Sequence, residues 1–293
     1  MKIRRETIPG GTLWLHEEDA GAAAVEDFVR SEAFRNIPAE RRVAVSSRRN
    51  FVFDFEIPGV GRCILKDFFV DRRHGALRAA ESAFKLRFVH RGLRTFRLLG
   101  DIRALGIRVS VPLAFWTGHG PDGPHNYLLY RYLDGVPVGS VWMGRFARPG
   151  YGDGSFPPGV LHAYMEQLGT LVRTLHEGGI LHTDLHPGNV IAPRPLDGTG
   201  PLGLIDMDSA YRPFAPGRRA LFTARVKSIR RLADCFDDLG QDDFLAFLRA
   251  YARGDESLLR SLLPPLRFWR SRMKADRRIS SVLAWFRFPP PRG

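Results

Sequence analysis

The segment HTDLHPGN, residues 182–189, constrains this chain more than any other. It comes directly after an amphipathic stretch in which Leu161, Met165, Leu168, Leu171, Val172 and Leu175 recur at helical offsets. Pro157 and Pro158 open that stretch, and Gly178 and Gly179 close it. Pro187 and Gly188 keep the segment itself out of a helix. The apolar pair Val190-Ile191 follows, then the turn PRPLDGTGP, then a short strand from Leu202 to Ile205 that ends in Asp206. Packing alone gives no reason to gather His182, Asp184, Asn189, Asp206 and Asp208 around these elements.

The rest of the chain divides into two patterns. RVAVSS, NFVFDFEI and RCILKDFFV are short runs of β-branched and aromatic residues separated by turns, which predicts a meander of antiparallel strands. Residues 75–105 carry Leu77, Phe84, Phe88, Leu93, Phe96, Leu99 and Ile102 at helical offsets. GIRVSVPLAFWT and NYLLYRYLDG return to strand character, and residues 135–157, rich in Gly and Pro, mark a boundary. Beyond 206 the pattern is helical, over 217–237, 241–252, 255–262 and 264–284. The expectation is an α+β chain: a strand-rich lobe over 1–134 and a helical lobe over 135–293.

Composition narrows the function. Hydrophobic residues make up 44%, which excludes a disordered chain. Cys63 and Cys235 are the only cysteines and form no CxxC, which argues against a zinc site or a disulfide framework and fits a cytoplasmic setting. The N-terminus lacks the apolar core of a signal peptide, and no run is long enough to span a membrane. The net charge is +13, and with lysine only at 2, 66, 85, 227 and 274, arginine carries most of it. Such a surface favours polyanionic partners. No nucleic-acid reader motif accompanies the charge, so nucleic acid is not an expected partner. The basic runs at 218–231 and 267–278 read first as solvated helix faces. Interleaved with Phe222, Phe268 and Trp269, they also suit peripheral contact with the inner face of an anionic membrane.

Asn189 and Asp206 offer hard oxygen ligands suited to Mg²⁺, with Asp208 as an assisting carboxylate. Asp184 is placed to accept a proton from a hydroxyl. This is a layout for phosphoryl transfer, which needs positioning and charge neutralisation more than covalent work. The alternative reading is a polar turn with a capping aspartate followed by a solvated strand end. His182 and His186 are four residues apart, but no helix or intervening glutamate supports a zinc-hydrolase reading, and His182 is expected to support the loop backbone.

HTDLHPGN resembles the catalytic loop of the protein-kinase-like superfamily, and IDMD resembles its metal-binding element. LRTFRLLGDIRALGIRVSVPLAF, residues 93–115, and LLYRYLDG, the expected interlobe hinge, are similar to segments of the kinases that phosphorylate the lipopolysaccharide core, the Kdo and heptose kinases. The resemblance implies a two-lobed protein-kinase-like fold, ATP and Mg²⁺ as cofactors, and a sugar or lipopolysaccharide-core hydroxyl as acceptor. It implies Asp184 as the base, Asn189, Asp206 and Asp208 at the metal, and Lys66 of CILK at the α- and β-phosphates. Lys85 is the rival to Lys66. Thr95 stands in the triplet Arg94-Thr95-Phe96 where an acidic residue is expected, leaving Glu81 as the substitute partner of the lysine. The turn SSRRN lacks the glycines that let backbone N–H groups approach phosphate, so Ser46, Ser47, Arg48 or Arg49 would serve with side chains. A small-molecule phosphotransferase of the aminoglycoside or choline kinase type and a pseudokinase binding module are the alternatives.

Overall fold

The computed structural model describes residues 1–47, 50–69, 90–120, 123–139, 159–214, 217–233 and 241–266. The chain divides into two compact units, Met1–Asp134 with Gly203–Asp208, and Gly135–Leu202 with Ser209–Gly293.

The first unit is built on a seven-stranded sheet in the order β1-β2-β7-β8-β5-β4-β3. Its strands are β1 Ile3–Ile8, β2 Gly11–His16, β3 Arg42–Ser47, β4 Asn50–Ile57, β5 Gly61–Phe69, β7 Pro112–Gly120 and β8 Gly123–Arg131. Every neighbouring pair runs antiparallel. Two helices accompany it, α1 Ala22–Arg30 and α2 Arg91–Ala104. The sheet has two apolar faces, as the period-two alternation of a strand requires when both sides are covered. Val25 and Val29 of α1 join Leu13, Leu15, Cys63, Leu65, Trp116 and Leu129 in one cluster. Leu93 and Phe96 of α2 join Trp14, Phe68, Phe115 and Leu128 in the other. Each fully buried side chain of this size contributes about 1.5–3 kcal/mol. A parallel pair completes the unit: β6 Arg108–Val109 lies beside β12 Gly203–Leu204, with Leu204 opposite Val109.

In the second unit, α3 Val160–Glu177 packs against α5 Gln241–Ala252. Gly169 explains how closely they approach: a Cβ there would lie 2.3 Å from the Phe247 carbonyl oxygen. A mid-helix glycine costs about 1 kcal/mol relative to alanine, and here it makes that contact possible. Two short antiparallel pairs carry the polar loop. β10 Leu181–His182 pairs with β13 Ala210–Tyr211, and β11 Val190–Ala192 pairs with β9 Val136–Pro137. Helix α4 Arg218–Ala233 and a helical stretch over 256–266 follow.

Several sequence expectations shift. The hairpin β1–β2 and helix α1 were not anticipated, although Pro9, Gly10 and Gly11 punctuate the hairpin. The helix expected over 75–105 is helical in its described part only from Arg91, because His90 takes a left-handed φ of 41°. Residues 70–89 lie outside the described residues, as do most of those expected to be helical over 264–284. The strand expected over 106–117 is two strands, β6 and β7, interrupted at Ser110 and Val111. Among the described residues no helix is long and apolar enough to cross a membrane.

Candidate active site

Lys66 sits inside β5, opposite Val52 on β4 and Leu128 on β8, rather than at a strand end. Strand alternation turns it to the face that Leu128 shares with α2. An ammonium there is expensive to bury unless it is paired. Its Nζ donates to Asp206 Oδ1 at 2.5 Å and to Asp208 Oδ2 at 3.0 Å. Burial works against the charge, but the carboxylate of Asp208, the Tyr130 oxygen and the carboxylate of Asp206 outweigh it, and the ammonium is held above the ordinary lysine value. Burial also pushes the Tyr130 phenol up to about 12.

The carboxylates reach Lys66 through a short, tightly placed segment. Gly203 lets β12 lie against β6, since a Cβ there would be 2.9 Å from the Arg108 carbonyl oxygen. Asp206 then takes a left-handed φ of 55°, strained for a residue with a side chain. The turn sends the chain into a 3-10 stretch, Met207–Ser209, and the Met207 side chain is buried. Arg91 Nε and Arg94 Nη2, one turn apart on α2, donate to the Asp208 carbonyl oxygen at 3.3 and 3.0 Å. Burial, then the charge of Arg91, pushes the Arg94 guanidinium below its ordinary value. Asp208 Oδ1 is buried and has no hydrogen-bond partner among the described residues.

Thr95 is not a partner of the lysine: its buried hydroxyl donates to the Arg91 carbonyl oxygen at 3.1 Å. Within the described residues, the carboxylates at Lys66 come from 206 and 208, and α2 supplies arginines to the backbone beside them. Glu81, Lys85, Arg48 and Arg49 lie outside the described residues. Ser46 and Ser47 end β3, where Ser47 pairs with Asn50 after two shifts of register along β3 and β4.

The loop of the second unit is organised from within. Fully buried His182 accepts the Asp184 N–H at Nδ1, 3.2 Å. His186 Nδ1 accepts the Gly188 N–H at 3.1 Å and so caps the single 3-10 turn Pro187–Asn189. Asn189 is buried, and its Nδ2 donates to the Asp184 carbonyl oxygen at 3.1 Å, which fixes the orientation of the amide. The first ring nitrogen of each histidine is thus spent on the loop backbone rather than on a metal. The Asp184 carboxylate is half-buried, and Arg231 of α4 donates to its Oδ1 through Nε at 3.1 Å and Nη2 at 3.0 Å.

Five residues that sequence reasoning did not single out belong to these clusters: Arg91, Arg94, Tyr130, Ser228 and Arg231. Ser228 and Arg231 lay inside the basic run that read as a solvated face; Ser228 Oγ donates to the His182 carbonyl oxygen at 2.9 Å. Their three-residue spacing with Arg225 was the available signal, because it aligns all three on one side of a helix.

The donor set fits a magnesium nucleotide. Mg²⁺ takes one or two carboxylates together with substrate phosphates, and Asp208 offers a buried oxygen that has no partner among the described residues, beside the half-exposed Asp206 carboxylate. Lys66 offers a charge of the opposite sign with three donors suited to phosphate.

Comparison with the curated proteins returns no match. Among solved structures, the chain is similar to that of WaaP in complex with acyl carrier protein, with a TM-score of 0.57 and 18% identity. The alignment covers 88% of this chain and 98% of that one, a likeness of fold: α+β and protein-kinase-like. The profile of the lipopolysaccharide kinase (Kdo/WaaP) family matches residues 38–251, a span that contains β5 with Lys66, the loop 182–189 and both carboxylates at 206 and 208. The chain therefore belongs to the lipopolysaccharide kinase (Kdo/WaaP) family and is a kinase, a phosphotransferase that uses ATP.

Proposed function

We propose that this kinase transfers the γ-phosphoryl group of ATP to a sugar hydroxyl of the lipopolysaccharide inner core, on Kdo or heptose. The observation that carries the reading is the loop itself: inside the matched span, Asp184 keeps a half-exposed carboxylate while Asn189 and His182 fix its backbone. In the proposed step a bond forms between the acceptor oxygen and the γ-phosphorus as the bond from that phosphorus to the β,γ-bridging oxygen breaks. ADP leaves with the electron pair of the broken bond, and the hydroxyl proton passes to Asp184. Lys66 binds the α- and β-phosphates. Asn189, Asp206 and Asp208 are the proposed oxygen ligands of Mg²⁺, which when bound would neutralise phosphate charge. Ser46 and Ser47, with Arg48 and Glu81, remain proposed members of the nucleotide site.

The acceptor is presented at a membrane surface, and peripheral contact with an anionic bilayer belongs to the same proposal. Phe214 is fully exposed, with Arg218, Arg219 and Lys227 exposed nearby in sequence. Flotation with anionic vesicles tests it: salt should release the protein, and salt-insensitive binding would remove the electrostatic part.

The deciding experiment for the acceptor is transfer from labelled ATP to a panel of lipid A–Kdo, heptosylated core, an aminoglycoside and a generic protein. Label on one of the two core acceptors supports the proposal. Label on the aminoglycoside alone would replace it with a small-molecule phosphotransferase.

A further inference from the structure

Helix α4 meets the rest of the second unit at three successive points. Arg225, Ser228 and Arg231 follow one another at intervals of three, which places them along one side of the helix. Arg225 Nη2 donates to the His176 carbonyl oxygen at 2.9 Å, near the end of α3. Ser228 Oγ donates to the His182 carbonyl oxygen at 2.9 Å, in β10. Arg231 then reaches the carboxylate of Asp184, two residues further along the chain. The first two contacts hold backbone. The third holds the side chain proposed to take the acceptor proton.

We propose that Arg231 is a positioning residue for phosphoryl transfer: it clamps Oδ1 of Asp184 and leaves Oδ2 for the acceptor hydroxyl. The inference rests on the reading of Asp184 as the base. Three observations carry it. Two nitrogens of the guanidinium, Nε and Nη2, meet the same carboxylate oxygen, at 3.1 and 3.0 Å, rather than one oxygen each. A contact built only for strength would use the parallel two-oxygen fork, which is the stronger geometry. Second, the side chains are 48% and 43% exposed, and an ion pair so exposed contributes about 0–1 kcal/mol to stability. Its location therefore matters more for where it holds the carboxylate than for how firmly it ties α4 down. Third, the loop carries no cation of its own: residues 182–189 contain no lysine or arginine, and His186 Nδ1 is occupied by the Gly188 N–H. Positive charge beside Asp184 has to be supplied from outside the loop, and α4 supplies it.

The consequence is mechanistic. A carboxylate free to rotate presents either oxygen to the hydroxyl at varying angles, while one clamped at Oδ1 presents Oδ2 in a single orientation. Small losses of alignment at a reacting centre can reduce the rate up to about a hundredfold.

The test compares Arg231→Ala, Arg231→Lys and Asp184→Asn in the full chain. Transfer to the core acceptor and acceptor-free hydrolysis of Mg-ATP are both measured, so that the result does not depend on one sugar. The expected result for Arg231→Ala is a kcat lowered about tenfold to a hundredfold, with KM for ATP and the melting temperature close to the parent. Arg231→Lys recovers part of the loss, and added guanidinium ion partly rescues Arg231→Ala but not the double variant with Asp184→Asn. The double variant is no slower than Asp184→Asn alone, because the arginine acts through the aspartate. Parental kcat in Arg231→Ala, with Asp184→Asn inactive, overturns the role of Arg231 and leaves the base intact. Full activity in Asp184→Asn overturns the base reading and this inference with it. If Arg231→Ala does not fold, Arg231→Gln gives the same readout, and a kcat loss without guanidinium rescue in either variant counts against the proposal.

Discussion

Lys66 in the first unit and Asp184 in the second are each held by opposite charge, but their surroundings differ. The Lys66 and Asp208 side chains are 7% and 5% exposed, whereas those of Arg231 and Asp184 are 48% and 43% exposed. Lys66 and Asp208 are withdrawn from water and depend on their partners: two carboxylates, one of them half-exposed, answer one ammonium, and the arginines of α2 bond the backbone beside them. The exposed pair keeps its water and orients a carboxylate at small energetic cost. The same chemical bond thus anchors structure in one place and sets geometry in the other, and burial decides which.

Substitutions can break or sharpen this contrast. The largest effect is expected from Asp184→Asn, which should lower kcat by about 10²–10⁴-fold without a change in melting temperature; a large fall in stability would mean that the exposed pair is structural after all. Lys66→Met should damage activity and stability together. It strands Asp208 as a buried, uncompensated carboxylate, and breaking such a pair costs about 3–5 kcal/mol. Denaturant unfolding should register that loss at neutral pH. The pH dependence gives a second check, because the Lys66 ammonium is held above its ordinary value in the folded protein. Its stabilisation is therefore complete below the ordinary lysine range and is lost only as pH rises through the higher folded value. A stability gap between parent and Lys66→Met that closes already near pH 9 would contradict the buried cluster.

Ser228→Ala should have a smaller effect, removing a buried hydroxyl contact to the His182 carbonyl worth about 0.5–1.5 kcal/mol. Chemical denaturation should show that shift with kcat falling less than in Arg231→Ala; the opposite ranking would make the Ser228 contact, rather than Arg231, the one that positions the loop. A contrast that appears only in acid concerns His176, which is buried in the second unit and hydrogen-bonded to the Tyr251 hydroxyl at 2.8 Å. Burial, with Arg225 and Arg173 nearby, pushes its imidazole down to about 3 from 6.5. The unfolded chain takes up this proton first, so the histidine's contribution is intact above 6.5 and declines as pH falls toward 3. The stability of His176→Phe, measured across that interval, should fall less steeply with acid than that of the parent. Parallel curves would show that His176 is not held neutral.

The parts of the site that lie within a few residues of one another were legible in the sequence. His182, Asp184 and Asn189 share one loop, and their mutual hydrogen bonds span two to five residues. The pattern of proline, glycine and apolar pairs that shapes such a loop is itself local. Helix α5 was legible with its bounds for the same reason, since its apolar spacing repeats within its own length. The hairpin β1–β2 was not, because six-residue strands carry little periodic signal, and their burial depends on β7 a hundred residues away. The expectation that the Lys66 partner would come from the helix followed a family pattern. Among the described residues the carboxylates come instead from 140 and 142 positions downstream, a separation no local pattern records.

The sequence by itself determined that the chain has an antiparallel strand-rich part, a helical part and a polar loop shaped by proline and glycine, because periodicity and turn chemistry act over a few residues. Tertiary structure alone decided that Lys66 is buried beside Asp206 and Asp208, and that α4 turns Arg225 and Ser228 to carbonyl oxygens and the half-exposed Arg231 to the Asp184 carboxylate. A charge has no intrinsic preference between solvent and a partner; the free energy of removing its water against that of meeting an opposite charge is set only once the chain has folded around it.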